Sequence, residues 1–130
     1  MSCYVVRGEE AKKLKPSVLF GRVSKKAHIS HAIDSPLSKH MRAGFLRLDP
    51  GYSKDLESPL DEIDLFMEGS LTVTFEGKSF TAHEGDILFI ERGTKAHFDT
   101  KEGCLVFYVT YHLMHEAMDD VAKKLKEKKE

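Results

Sequence analysis

The chain's clearest pattern is alternation. In residues 61–69, DEIDLFMEG, the side chains of Glu62, Asp64 and Phe66 fall on one side of an extended backbone and those of Ile63, Leu65 and Met67 on the other. Two carboxylates therefore share a strand face. LTVTF sets Leu71, Val73 and Phe75 against Thr72 and Thr74, and Glu76-Gly77 behind it is a two-residue hairpin signal. The turn His83-Glu84-Gly85-Asp86, the apolar run Ile87 to Ile90, a turn around Gly93 and a strand carrying His97 follow, so the stretch 51–98 predicts a succession of short strands. Leu105 to Tyr111, aromatic and β-branched, predicts another. Upstream, Ser2 to Val6, Val18 to Val23, Ala27 to Ile33 and Ala43 to Leu48 read as strands; Gly8 to Leu14 reads as a helix stopped by Pro16, and Ser24-Lys25-Lys26 as a turn. From His112 the period changes: Met114, Ala117, Met118, Val121 and Leu125 recur at three and four residues, which predicts an amphipathic helix over about 112–128. Many short strands must hide their edges, and closure into a barrel or jelly roll does so. With no repeat and no linker, the sequence predicts one domain over 1–130, its barrel core about 18–111, and the helix as an edge cap or a dimer contact.

Composition narrows the function classes. A chain of 130 residues, 41% hydrophobic and 32% charged, suits one soluble domain with no apolar run of membrane length and no signal peptide. Twenty basic against twenty-one acidic residues leave a formal charge of −1, which gives no field to attract a nucleic acid. Cys3 and Cys104, without a C-x-x-C, read as free thiols of a reducing compartment, with the cytoplasm as default. No G-x-x-x-x-G-K-[ST] phosphate loop is present, and Gly77-Lys78-Ser79 sits on a hairpin rather than opening a helix.

Fixed offsets add a family resemblance. Glu62 is followed by six residues and then Gly69; Gly85 is followed by five and then Glu91-Arg92-Gly93, with His97 after three more. In this spacing residues 41–113 resemble the RmlC-like cupin superfamily, and DEIDLFMEGSLTV and EGDILFIERGTKAHF are similar to its EutQ family, connected with ethanolamine utilisation. The chain departs from the cupin motifs at four places. Asp55-Leu56-Glu57-Ser58-Pro59 stands where His-x-His is usual, Glu91 replaces a proline, His97 is one place late, and the final asparagine is missing. The resemblance implies an all-β cupin barrel (jelly roll, double-stranded β-helix) with a C-terminal α-helix, and a homodimer in the cytoplasm or a bacterial microcompartment. It further implies a small-molecule-binding accessory protein or enzyme of ethanolamine metabolism. A small carboxylate or an acyl phosphate is the implied ligand, since acetate kinase activity is associated with that family.

The residues offer their own chemistry. Mutual repulsion and burial should raise the pKa of Glu62 or Asp64 and make it a proton donor, with His97 as base, for a metal-free isomerisation, epimerisation or elimination. The plainer reading ties one carboxylate to Arg42, Arg47 or Lys54 and leaves it a structural role. Tyr52, Lys54 and Tyr108 are candidate ligand contacts; Tyr52, Tyr108 and Tyr111 could each offer a hydroxyl, although core packing is the commoner role for an aromatic side chain. A divalent metal in the cupin position would have Glu57, Glu62 and His97, with Asp55 and Asp64 as further oxygen donors; that is a carboxylate-rich set suited to magnesium or manganese. His28 and His31 alternate in face and make a poor metal pair, one expected in solvent and one among apolar residues. Whether the chain is an enzyme stays open at this point. The alternatives to a EutQ-like role are a metal-dependent cupin isomerase, lyase or oxygenase, and a non-catalytic sensor or scaffold that docks through the terminal helix.

Overall fold

The computed structural model describes residues 3–19, 22–34 and 38–111. A one-turn helix, α1 (Gly8–Ala11), precedes nine strands: β1 (Lys15–Leu19), β2 (Arg22–Ile29), β3 (Met41–Leu48), β4 (Ser53–Glu57), β5 (Asp61–Phe75), β6 (Lys78–His83), β7 (Ile87–Ile90), β8 (Lys95–Asp99) and β9 (Cys104–Tyr111). All pairings are antiparallel, and they curl around one core.

β5 organises the arrangement. Its first half pairs with β9 and β7, its second half with β6 and β8, so one strand of fifteen residues belongs to two sheets. Through β9 it connects to β3, β2 and β1, and through β8 to β4. The switch falls where the β5–β9 register shifts between Phe66 and Glu68, just before Gly69. Gly69 has φ +76°, and a Cβ on it would overlap the Gly103 carbonyl. A bulge followed by a residue that only glycine fits is how a strand bends out of one sheet into another.

The predicted alternation holds along β5: Asp64 and Phe66 are buried, whereas Ile63 and Leu65 are exposed. The hairpin at Glu76-Gly77 also forms, with φ of 51° and 76°. Phe66, Leu71, Val73, Leu88, Ile90, Ala96, Phe98 and Val106 fill the interior.

Several N-terminal expectations are corrected. Cys3 to Val6 is not a strand, and the helix is only Gly8–Ala11. Pro16 lies within β1, at the register irregularity with β2, where a missing N–H is tolerated. Ser24-Lys25-Lys26 is not a turn: β2 runs through it, because the hairpin with β1 closes instead at Leu19 and Arg22. β2 ends at Ile29, and Ile33 makes only an isolated bridge to Ala43. The helix expected over 112–128 lies outside the described residues.

Candidate functional site

Strand register builds the site. Arg42 of β3, Thr110 of β9, Glu62 of β5 and Ile90 of β7 form one row across the sheet; Gly44, Tyr108, Asp64 and Leu88 form the next. Both rows face the barrel interior. There Glu62 and Asp64 share an internal cavity of about 70 Å³ with Leu46, Tyr52, Leu56, Ser58, Leu71 and Phe98. Asp64 is only 4% exposed, and its Oδ1 meets no hydrogen-bond partner among the described residues; the equally buried Thr110 Oγ1 is in the same position.

A side-chain hydrogen bond joins the two carboxyls. Burial raises both pKa values, Glu62 included, although that residue keeps some exposed surface. Asp64 is pushed well up, first by burial, then by the charge of Glu62 and by the hydrogen bond it donates to it. That same bond opposes the rise at Glu62. Asp64, pushed up the further and donating to Glu62, is the more readily protonated of the two, and the pair favours sharing a proton over carrying two charges.

A second polar cluster supports this one. The Tyr108 hydroxyl donates to the Ser30 carbonyl at 2.8 Å, which leaves its oxygen to accept from His31 Nδ1, also at 2.8 Å. Desolvation, helped by the nearby Arg42 charge, lowers the His31 pKa, and burial pushes that of Tyr108 far up. The neutral imidazole with its hydrogen on Nδ1 fits both partners. Gly44 permits the contact, since any Cβ there would overlap the Ser30 carbonyl. Arg42 Nε lies 3.2 Å from Asp34 Oδ1, and Arg47 is 3.5 Å from Glu68. Lys54 is exposed on β4. The expected tie from one of these cations to Glu62 or Asp64 is not what the structure shows.

His97 is the main correction. Ala96 and Phe98 of β8 are buried, so the residue between them faces outward. His97 Nε2 lies 2.9 Å from Ser53 Oγ and its Nδ1 2.7 Å from Asp55 Oδ1, on the outer surface of β4 and β8. The order serine, histidine, aspartate is that of an acyl-transfer relay. Here, however, the Asp55 side chain is 89% exposed, and water competes for it, so the three serve to tie β4 to β8. The base assigned to Glu62 and Asp64 is thus on the other side of the sheet. Glu57 is likewise exposed, facing a surface hollow with His97. Glu57, Glu62 and His97 do not converge, Ala96 occupies the inward position one place earlier, and no cluster of metal-ligating side chains occurs among the described residues. This donor set does not fit a cupin-type metal.

Of the ligand contacts expected from sequence, Tyr52 lines the cavity, and burial pushes its hydroxyl up to about 12. Tyr108 lies beside Asp64, its hydroxyl already engaged. His28 is neither free in solvent nor packed in apolar surroundings, because its Nε2 meets Asp49 Oδ2 at 2.9 Å. Gly44 and Thr110 were not singled out from the sequence, and His31 and Arg42 were named there without their partners Tyr108 and Asp34. A signal existed for Thr110, the one polar side chain in the apolar run 105–109 and its continuation, two places from Tyr108 and so on its face.

With this geometry in view, comparison with known proteins is decisive on family. The model of the family described as ethanolamine utilisation protein EutQ matches residues 24–116. The chain belongs to the EutQ family. A relative, the acetate kinase EutQ of Salmonella typhimurium strain LT2, is 35% identical over 71 residues, covering 55% of this chain and 31% of that protein. This EutQ-family chain thus spans about a third of the length of the curated relative it matches. The solved structure of the Clostridium difficile EutQ protein superposes with TM-score 0.63 at 24% identity, over 68% of this chain and 69% of that one. A cupin superfamily protein from Desulfitobacterium hafniense DCB-2 gives TM-score 0.58 at 15% identity, over 68% and 79%. The fold is a cupin, as the motif spacing led one to expect. No helix among the described residues is long and apolar enough to cross a membrane.

Proposed function

We propose that this EutQ-family cupin binds a small molecule of ethanolamine metabolism inside its barrel, with Glu62 and Asp64 as the polar end of the site. Asp64 Oδ1 carries the reading: an acceptor with no partner among the described residues, deep in the protein and beside a cavity. Leaving such an atom unpaired costs about 1–3 kcal/mol, which a ligand donor recovers. The shared proton lets the pair both give and take hydrogen, so any turnover is a proton transfer at one side of the ligand. Reactions that need an acid and a base on opposite sides lose support with His97 facing outward.

The relatives' name, acetate kinase, suggests an acyl phosphate. Phosphoryl transfer concentrates negative charge that a cation must offset. Among the described residues the cavity lining offers two carboxyls and no Lys, Arg or His, so this cavity is a poor phosphate site, and the reaction is not assigned to it. We further propose a homodimer, located in the cytoplasm or a microcompartment.

Cavity binding is tested by NMR titration of the full chain with a panel of small polar fragments. Amide shifts in β5, β7 and β9 near Glu62 and Asp64 are expected, and Leu56→Trp, which fills the cavity from the edge strand β4, should abolish them. Shifts confined to the outer face around Asp55 and His97 would overturn the reading.

A further inference from the structure

The geometry points to a ligand class: we propose that the cavity takes a small organic cation, a primary or secondary ammonium group on a short apolar body. The inference rests on the cavity being the binding site. Its walls include Leu46, Leu56, Leu71, Ile90 and Phe98; its carboxyls are Glu62 and Asp64, the Tyr52 hydroxyl being pushed up to about 12, and no Lys, Arg or His among the described residues lines it. Arg42, in the same row as Glu62 but two strands away across β9, is paired with Asp34. Charge of one sign at the end of an apolar chamber selects the opposite sign in its occupant, and in a low-dielectric interior the selection is strong.

Hydrogen-bond counting gives the same answer by a separate route. The cavity lining holds excess acceptors: Glu62, and Asp64 Oδ1, which has no partner among the described residues; the buried donors likewise left without a hydrogen bond, Arg42 Nε and Thr110 Oγ1, belong to residues outside the lining. An ammonium group brings up to three N–H donors, a hydroxyl one, and a carboxylate or phosphate dianion none. Only the ammonium can reach both carboxyls while satisfying Oδ1. Size sets the rest, since a chamber of about 70 Å³ holds roughly five water-sized groups. Short-chain amines of about four to six non-hydrogen atoms fit.

Binding should be linked to protons. An ammonium that contacts both carboxyls takes the role of the shared proton, which leaves as the second carboxyl ionises. The other groups facing the pair do not titrate with it near neutral pH. Arg42 is held by Asp34; Tyr52 is pushed up to about 12, Cys104 to about 11, and Tyr108 further still, while His31 is pushed below its usual value. Affinity should therefore rise with pH for as long as the unliganded pair still holds its proton.

The test uses the full chain and three probes matched in size: n-butylammonium, 1-butanol and propionate. At pH 8, titration calorimetry should show the ammonium binding at least about tenfold tighter than the alcohol, with a heat that varies with the buffer's ionisation enthalpy as protons are released. Propionate should not bind. Glu62→Gln, checked for folding by its melting curve, should weaken the ammonium about tenfold or more and leave the alcohol unchanged; Asp64→Asn serves as the second variant. Equal binding of alcohol and ammonium at the cavity amides, with Glu62→Gln sparing both, would overturn the ligand class and leave the cavity site standing. Preferred binding of propionate would do the same. Failure of all three to perturb the cavity amides would overturn both readings.

Discussion

Asp64 is the residue at which burial, charge and hydrogen bonding meet. Its folded pKa is raised, so the native state holds a proton that the unfolded chain releases near pH 4. The sign follows directly: the stability this group contributes is fully present below that unfolded value and is lost as pH rises toward the folded one. Asparagine keeps the donor toward Glu62 and never ionises. Asp64→Asn should therefore come closest to the parent's melting temperature at about pH 3–3.5, below the unfolded value, and exceed it by about 3 °C or more at pH 8. Parallel pH profiles of the two proteins would show that Asp64 does not hold the proton. The facing of both carboxylates could be read from sequence because a strand's two-residue period fixes it whatever lies around it. His97 could not be placed so safely, as a single-residue offset in β8 reverses its face, and the chain signalled the offset only by putting the histidine one place late against the cupin motif. The contacts of His31 and Arg42 could not be read for another reason. Their partners, Tyr108 and Asp34, are brought to them by a loop folding over Gly44, a contact no local pattern encodes.

At the scale of elements, β5 does what two strands do in a simpler sandwich. It reaches the first sheet through β9 and β7 and the second through β6 and β8, and the bend at Gly69 joins its halves. The first half presents Glu62 and Asp64 to the cavity and the second supplies Leu71 to its wall, so the bend also shapes the site. Gly69→Ala must place a Cβ against the Gly103 carbonyl while holding a left-handed backbone. The left-handed conformation alone costs about 1–2 kcal/mol for a non-glycine residue, and the overlap adds to it; a total near 3 kcal/mol is expected. In urea that is a midpoint lowered by about 1–2 M. A loss under about 1 kcal/mol would mean that β5 bends without the glycine. From Met41 to Tyr111, β3 and β5 to β9 were legible because alternation and turn residues agree there, whereas β4 was not read as a strand. β2 was not legible as one strand, since Ser24-Lys25-Lys26 has turn-like composition, whereas its pairing with β1 comes from a hairpin that closes elsewhere.

The whole molecule has two unlike outer surfaces. Outside the second sheet, Ser53, Asp55, His97, Thr74 and Ser79 form a hydrogen-bonded polar face. Outside the first, register sets Phe45, Phe107, Leu65 and Ile87 in one row and Val109, Ile63 and Phe89 in the next. Ile87 is 69% and Phe89 61% exposed. Monomeric proteins rarely leave so continuous an apolar face to water. This face is the surface we assign to the proposed homodimer, since a two-fold axis through it would set each copy's rows against those of the other. Ile87→Glu with Phe89→Glu tests the assignment without touching the interior, because both side chains point away from it. Pairing would bury those charges unpaired, so the dimer should weaken by at least about 100-fold, a change readable by light scattering across a concentration series. The parent should run as a dimer at micromolar concentration and the double variant as a folded monomer with cavity binding intact. A monomeric parent would sink the dimer and turn attention to the chain beyond Tyr111, whose sequence predicts an amphipathic helix starting at the end of the same face. Truncation after Tyr111 would then make a monomeric protein aggregate, whereas truncation of a true sheet-face dimer would leave its mass merely reduced by the missing residues.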